Sequence, residues 1–304
     1  MTTKKHPDKK ITVRDILQEI YDQKPESFQN DLRYLLAEIL ETEKAKLILY
    51  SDQVLVTEKL AQYRKKAQKL SENTPVHYLI NKKNFMGLDF FVDERVLIPR
   101  FDTEVLVEKV IEDVRLMQTE PEADIDADPE SQLSILELCT GSGAIAVSLA
   151  HFLPNARITA TDLSPDALAV ASGNARSLLK DAAGPAARLR FLEGDLFNAV
   201  PGGQTFNLIV SNPPYISRED YQKLDQQVQK EPQLALVAEN EGLYFYEEIL
   251  KNGKKYLKPN GKLYFEIGAT QARQLQELGT TYGWSGYQCI KDYAGHDRVI
   301  IFSK

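Results

Sequence analysis

The chain has 304 residues, of which 43% are hydrophobic, so it can form one large domain or two smaller ones. The formal charge of −7 at pH 7 disfavours a general nucleic-acid binder, because such proteins usually carry a basic surface. Two cysteines, Cys139 and Cys289, and four scattered histidines suggest neither a disulfide framework nor a metal site. The lack of a long apolar run and of an apolar signal region predicts a soluble, cytoplasmic protein.

The first third of the chain has a helical pattern. Residues 1–10 are charged and polar, which predicts a disordered tail. Over residues 11–84 we expect a small helical bundle, with Asn30 or Asp31 capping its second helix and Thr57 near the start of its third. Apolar residues recur there at three-to-four spacing, in the groups Ile16, Leu17, Ile20 and Tyr21; Leu32, Leu35, Leu36, Ile39 and Leu40; and Leu60, Tyr63, Ala67 and Leu70.

The third helix of this bundle carries a run of basic residues. Such a run is usually a solvated helix face, and we favour that interpretation. The alternative is a docking face for an acidic or RNA-containing partner. The residues concerned are Lys59, Arg64, Lys65, Lys66 and Lys69.

Residues 85–98 are rich in Phe and Val around a glycine and a turn-like Asp-Glu pair, which predicts a hairpin that links two domains. An amphipathic helix is predicted over 103–116. Residues 119–130 contain six acidic residues and no basic one, so we expect a solvated loop without a function of its own.

From residue 133 onward, short apolar strands alternate with amphipathic helices. The predicted strands include 135–138 and the segments ARITATD, ARLRFLEGD, FNLIVS and GKLYFEI, and a final hairpin is expected around Gly295 and Asp297. Strand followed by helix, repeated, predicts an α/β domain with a mostly parallel sheet that is covered on both faces. Ligands of such sheets bind beyond the carboxyl ends of the strands.

The first of these strands runs into the sequence ELCTGSG at residues 137–143. Its glycines predict a sharp turn in which the backbone can approach a ligand closely. The spacing differs from the GxGxxG pattern of dinucleotide sites. Glu137 is unfavourable for a pyrophosphate but suits a ligand that carries an ammonium group.

The next two strands also end in acidic residues. Asp162 follows the glycine loop by about twenty residues, where a carboxylate can accept hydrogen bonds from ribose hydroxyls. Its alternative role is a helix cap, for which Ser164 is also suited. Asp195 can accept from an adenine amino group and Leu196 can pack on the ring, although a polar turn explains the same residues.

Residues 211–215 read SNPPY, directly after the apolar run FNLIV. Neither proline carries an N–H, so the strand ends there, and the residue before a proline is pushed toward extended backbone. Asn212 is therefore followed by stiff backbone and by the ring of Tyr215. One interpretation is a stiff turn, and the other is a polar clamp with an aromatic wall. Because four strands end in candidate ligand groups, we favour a site for an adenosine with a zwitterionic tail.

Residues 135–215 resemble class I S-adenosylmethionine-dependent methyltransferases, and the NPPY form is typical of enzymes that methylate planar amino groups. The chain from residue 12 onward resembles the protein-(glutamine-N5) methyltransferases. Within that group, IPR-x-DTE and the helical bundle resemble the HemK/PrmC family, which methylates peptide chain release factors. The motifs are VLIPRFDTEVLVE (96–108), VSNPPYI (210–216), KEPQLAL (230–236), EGLYFY (241–246), FEIGATQ (265–271) and DYAGHDRVI (292–300).

The resemblance implies a Rossmann-like sheet of seven strands over 99–304, preceded by the hairpin linker and by a helical substrate-recognition domain over 11–84. It also implies S-adenosyl-L-methionine as cofactor and the glutamine of the release-factor Gly-Gly-Gln motif as substrate. Glu231 and Glu266 lie in matching motifs and either line the site or shape it. The residues expected to bind the cofactor are Glu137, Cys139, Thr140, Gly141, Ser142, Gly143, Asp162, Asp195, Leu196 and Asn212.

The substrate amide is expected to contact Asn212, Pro213, Pro214 and Tyr215. The side-chain oxygen of Asn212 and the backbone carbonyl of Pro213 would accept its two N–H groups, and Tyr215 would pack against its plane. We expect a monomer that meets its protein substrate transiently, without a metal, a membrane or sequence-specific nucleic acid as partner. Alternatives are a glutamine methyltransferase of a ribosomal protein, an adenine-N6 methyltransferase of nucleic acid, and a binding module without catalysis.

Two positions depart from the family pattern. Phe101 stands where proline is expected and Asn81 where glycine is expected. Asparagine tolerates the left-handed backbone conformation better than most residues, so a turn at Asn81 can survive.

Overall fold

A computed structural model describes residues 10–118, 132–179 and 188–304. The chain divides into two compact units, Met1–Asn81 and Lys82–Lys304. Residues 1–9 of the predicted tail, and all of the acidic loop at 119–130, lie outside the described residues.

The first unit is the predicted helical bundle. Its α-helices are α1 (Val13–Tyr21), α2 (Glu26–Leu40), α3 (Thr57–Ser71) and α4 (Val76–Ile80), with a 3₁₀ helix at Lys44–Tyr50. Except for Tyr21, which is exposed, the predicted apolar positions of α1, α2 and α3 form one core, in which Ile16, Leu35 and Leu36 are fully buried. The start of α3 at Thr57 is confirmed.

The predicted caps of α2 are wrong. The helix begins at Glu26, directly after Pro25, so Asn30 and Asp31 lie inside it. The hydrophobic period identified the buried face of this helix but not its first turn, because that turn contains a single apolar residue, Phe28. At the end of α4, Asn81 adopts the left-handed conformation with φ 54° that the sequence predicted.

The basic run on α3 is partly paired within the same unit. Arg64 forms an ion pair with Glu19 at 2.5 Å, and Lys59 lies 3.4 Å from Glu41. These pairs fit a solvated helix face, which we favoured for this run.

The second unit begins with an antiparallel hairpin, β1 (Lys83–Phe85) and β2 (Leu88–Phe90), and continues into α5 (Glu104–Gln118). Phe85 and Phe90 are fully buried in a core of this unit. Its central sheet contains seven strands in the order β5-β4-β3-β6-β7-β9-β8. These strands are β3 (Ser134–Leu138), β4 (Arg157–Asp162), β5 (Leu189–Glu193), β6 (Phe206–Ser211), β7 (Leu257–Glu266), β8 (Gly286–Lys291) and β9 (Asp297–Ser303).

Strands β5, β4, β3, β6 and β7 are parallel, and β9 pairs antiparallel with both β7 and the edge strand β8. The remaining described α-helices are α6 (Ala144–Phe152), α7 (Pro165–Leu178), α8 (Arg218–Tyr221), α9 (Tyr244–Gly253) and α10 (Ala272–Thr281). Neighbours in β3 face opposite cores, since Ile135 belongs to one and Leu136 to the other.

The predicted fold class is therefore confirmed as an α/β unit with a seven-stranded, mostly parallel sheet, preceded by helices and a hairpin. The final hairpin around Gly295 is formed by β8 and β9. No helix in the described part of the chain is long and apolar enough to cross a membrane.

Candidate active site

A cleft with an empty volume of about 1030 Å³ opens at the carboxyl ends of β3, β4, β5 and β6. This is the edge of the sheet where the sequence placed the candidate ligand groups. Of the residues expected to bind the cofactor, Cys139, Thr140, Gly141, Ser142, Asp162, Asp195, Leu196 and Asn212 line the cleft.

The glycine loop turns as its composition predicted. Gly141 and Gly143 have φ of 56° and 80°, and Cys139 before them adopts φ 62°, which is uncommon for a residue with a side chain. A Cβ atom on Gly143 would lie 3.0 Å from the Cβ of Ala171 in α7. Gly143 thus brings the start of α6 close to α7, while Gly141 faces open space.

Asp162 shapes this loop from the end of β4. Its Oδ2 accepts from the backbone N–H of Gly141 at 2.8 Å, and its Oδ1 accepts from that of Ser164 at 2.9 Å. Burial raises the pKa of Asp162, and these backbone hydrogen bonds partly offset the effect. Ser164 caps α7 by accepting from the N–H of Ala167 at 3.2 Å. The carboxylate of Asp162 therefore lines the cleft and holds the loop at once.

Glu137 and Gly143 are predicted cofactor residues that are not among the described residues lining the cleft. The side chain of Glu137 is fully buried, and its Oε2 accepts from the hydroxyl of Thr140 at 2.6 Å. Burial raises its pKa to about 8. Its Oε1 has no hydrogen-bond partner among the described residues. The geometry places this carboxyl group beneath the glycine loop.

The SNPPY segment separates the cleft from a second cavity of about 640 Å³. Asn212 lines both cavities, Pro214 lines the cleft, and Pro213 and Tyr215 line the second cavity. The Nδ2 of Asn212 donates to the hydroxyl of Thr103 at 3.4 Å. Burial raises the pKa of Tyr215, so this side chain is a neutral phenol at neutral pH.

Two hydrogen bonds fix the backbone at the end of the SNPPY segment. Ile216 donates to the carbonyl of Leu236 at 2.9 Å, and Gln271 Nε2 donates to the carbonyl of Tyr215 at 3.2 Å. Gly242 approaches so closely that a Cβ atom there would lie 2.1 Å from the same carbonyl oxygen. The position of Tyr215 therefore depends on segments that follow it in the chain.

The sequences of known proteins bear on this site. The Methyltransferase small domain family matches residues 124–241, and the PrmC N-terminal domain family matches residues 13–80. A release factor glutamine methyltransferase of Clostridium acetobutylicum is 34% identical over 297 residues, which are 97% of this chain and 96% of that protein. The chain belongs to the release factor glutamine methyltransferase family.

Other members of this family are similar over most of the chain. The protein of Moorella thermoacetica is 43% identical over 75% of this chain and 74% of its own. That of Leptospira interrogans is 35% identical over 98% of this chain and 99% of its own. Among solved structures, the hMettl16 catalytic domain is 14% identical with a TM-score of 0.54, covers 80% of both chains, and shows the shared fold alone.

Several cleft residues of this family member were not among the predicted site residues. Residues 95–97, 99–100 and Thr103 form one wall, and Pro232, Leu234, Ala235 and Phe245 form another. The family motifs IPR-x-DTE and KEPQLAL contain most of these residues and could have indicated them. Phe245 lies in the family motif EGLYFY, which could have indicated it, although its aromatic ring is equally consistent with the buried face of a helix.

Glu231 connects these two walls. Its Oε2 accepts from the backbone N–H of Ile98 at 2.9 Å, and its Oε1 accepts from Arg100 Nη2 at 2.6 Å. Burial raises the pKa of Glu231, and the charge of Arg100 opposes that shift. Of the two roles considered for Glu231, these contacts favour the one that shapes the site. No group of His, Cys, Asp and Glu in the described part of the chain could hold a metal ion.

Proposed function

We propose that this protein transfers a methyl group from S-adenosyl-L-methionine to the side-chain amide nitrogen of the glutamine in the Gly-Gly-Gln motif of peptide chain release factors, in the cytoplasm. The position of Asn212 carries the proposal, because this residue lines both the cleft and the second cavity. A cofactor in the first and an amide in the second would meet at this residue. Relatives that are named release factor glutamine methyltransferases support the substrate.

The chemistry of the cleft fits the cofactor. The carboxylates of Asp162 and Asp195 are acceptors for the hydroxyl and amino groups of an adenosine, and Leu196 and Phe245 offer apolar surface to its rings. The glycine loop leaves open space at Gly141, where backbone can approach a ligand. When bound, S-adenosylmethionine supplies an electrophilic methyl group on a sulfonium, which requires no metal.

The amide of glutamine is a poor nucleophile, because its nitrogen lone pair is shared with the carbonyl group. The enzyme must therefore orient the amide in line with the methyl group and stabilise positive charge that develops on nitrogen. We assign the two acceptors to Asn212 Oδ1 and the Pro213 carbonyl. The Pro213-Pro214 backbone holds them in place before the reaction, and Tyr215 packs against the amide and excludes water.

This clamp recognises a planar amino group, so adenine would satisfy it as well as glutamine. The net charge of −7 argues against nucleic acid as substrate, since an enzyme that extrudes a base needs contacts to phosphates. The matching N-terminal family and the names of the relatives favour a release factor.

Transfer of labelled methyl from S-adenosylmethionine tests the proposal. The acceptors are an intact release factor, its variant with the Gly-Gly-Gln glutamine replaced by alanine, and adenine-containing DNA. Label on the intact release factor alone is the expected result. Label on DNA, on the alanine variant, or on none of the three would overturn the proposed substrate.

A further inference from the structure

The buried carboxylate of Glu266 is not used by the mechanism above. Glu266 ends β7 with 1% of its surface exposed, and it lines the second cavity together with Pro213 and Tyr215. The pairing of Ser211 with Phe265 places it beside Asn212 on the neighbouring strand. Its Oε2 has no hydrogen-bond partner among the described residues. A buried carboxyl group with a free oxygen is costly, so its presence beside the clamp requires an explanation.

Thr103 connects Glu266 to the clamp. Its hydroxyl lies close enough to the Glu266 carboxyl group to favour the ionised form, and its oxygen accepts from Asn212 Nδ2 at 3.4 Å. A hydroxyl has a single proton to donate. Once that proton is donated to the carboxylate, the oxygen of Thr103 can only accept from Asn212. The nitrogen of the Asn212 amide then faces Thr103, and its oxygen faces away from it.

We propose that Glu266 is a positioning residue for methyl transfer, which acts through Thr103 to hold the side-chain oxygen of Asn212 toward the substrate amide. The inference rests on the proposed function, in which Asn212 must accept a hydrogen bond. A flipped Asn212 would present its NH₂ group to the NH₂ of the substrate, two donors facing each other. Glu266 removes that orientation without touching the substrate.

The relay requires Glu266 to be ionised. The side chains of Arg298 and Arg100 favour the carboxylate, whereas Asp102 disfavours it, and the phenols of Tyr215 and Tyr246 also lie close to it. Burial raises the pKa of Glu266 to about 7. Below that pH a protonated Glu266 can itself donate to Thr103, which frees the hydroxyl proton to bond Asn212 and removes the orientation. Turnover should therefore fall as the pH decreases through about 7.

The test compares Glu266→Gln, Thr103→Val, Thr103→Ser and the double variant Glu266→Gln/Thr103→Val in the full chain, with release factor as acceptor. A glutamine can either donate to Thr103 or accept from it. Glu266→Gln therefore keeps the shape of the side chain but no longer fixes which group donates in the hydrogen bond with Thr103. We expect kcat to fall about tenfold to a hundredfold, the scale of a misplaced catalytic group. The KM for the cofactor should stay within about twofold, because Glu266 does not line the cleft among the described residues.

Two further results are specific to the relay. Glu266→Gln should have no additional effect in the Thr103→Val background, because coupled residues are non-additive. Thr103→Ser should retain most of the kcat that Thr103→Val loses. In Glu266→Gln, the fall of kcat at acidic pH should disappear. The control is Glu277→Gln, which removes an exposed carboxylate paired with Arg273 at 3.0 Å.

Full kcat in Glu266→Gln, or additive effects in the double variant, would overturn the inference. If Glu266→Gln fails to fold, the comparison of Thr103→Ser with Thr103→Val decides, and equal rates in these two would also overturn it. A wild-type chain that methylates no release factor overturns the proposed function itself, which distinguishes that failure from the failure of the relay.

Discussion

Arg100 and Glu231, which are 131 residues apart in the sequence, are joined by a 2.6 Å contact between Nη2 and Oε1. Glu231 is 4% exposed and also accepts from the backbone N–H of Ile98. One carboxylate therefore connects the IPR and KEPQLAL motifs, both of which contribute residues to the cleft. Two sequence motifs of the family thus form one structural unit.

Glu231→Gln should destabilise the protein by roughly 1–3 kcal/mol, since hydrogen bonds to a charged group are worth about that much. The side chain of glutamine has one acceptor oxygen and no charge. It can therefore keep the hydrogen bond to either Ile98 or Arg100, but not both. Urea unfolding of the purified variant measures the loss. The matched control is Glu239→Gln, which breaks the exposed pair with Arg218 and should cause a clearly smaller loss, because solvent screens this pair. Equal losses in the two variants would show that burial of Glu231 is without effect.

Asn212→Ala should lower kcat by about 10²–10³, the range measured when one preorganised polar group is removed from a reaction centre. Cofactor binding should be largely retained, because the loop residues and Asp162 line the cleft independently of Asn212. Isothermal titration with S-adenosylmethionine and single-turnover methyl transfer measure the two quantities separately. Near wild-type turnover in this variant would rule out the clamp.

Gly242→Ala should displace the backbone of the SNPPY segment at Tyr215. The added Cβ would lie 2.1 Å from the carbonyl oxygen of Tyr215, so that backbone must shift. We expect a loss of stability of about 2 kcal/mol or more and a clear fall in kcat. Gly203→Ala is the matched control, because its φ of 80° is similar to the 87° of Gly242 but its Cβ would meet nothing within 4 Å. A similar kcat in both variants would contradict the expectation.

Glu137→Gln should change how stability depends on pH in the ligand-free protein. The folded state raises the pKa of Glu137 from 4.5 to about 8. The protonated form is thus favoured by folding, and its contribution to stability is lost as the pH rises from about 4.5 to about 8. The variant should become more stable relative to wild type, by on the order of a few kcal/mol, between pH 5 and pH 9. Thermal unfolding at pH 5, 7 and 9 tests this, with Glu193→Gln, which alters an exposed carboxylate, as control. A constant difference in the midpoint would refute the prediction.

Local sequence determined much of this architecture. The hydrophobic period predicted the helices α1, α2 and α3, and the alternation of strands and helices predicted the parallel sheet. The glycines of ELCTGSG permit positive φ, and the prolines of SNPPY restrict φ and lack an N–H. Both effects are local, so residue type alone predicted the sharp loop and the end of the strand. Asn81 adopts positive φ for the same local reason. The first turn of α2 was missed because it contains a single apolar residue, Phe28, which is too little to define a period.

The tertiary structure alone decided which of these groups meet. Glu137 and Asp162 are both acidic residues near strand ends, yet one lies buried beneath the loop and the other lines the cleft. The contacts of Glu231 with Arg100 and of Thr103 with Asn212 join residues more than a hundred positions apart. Residue type and spacing specify local backbone and buried faces. The partner of a polar side chain depends on strand order and register, which arise from packing across the whole sheet.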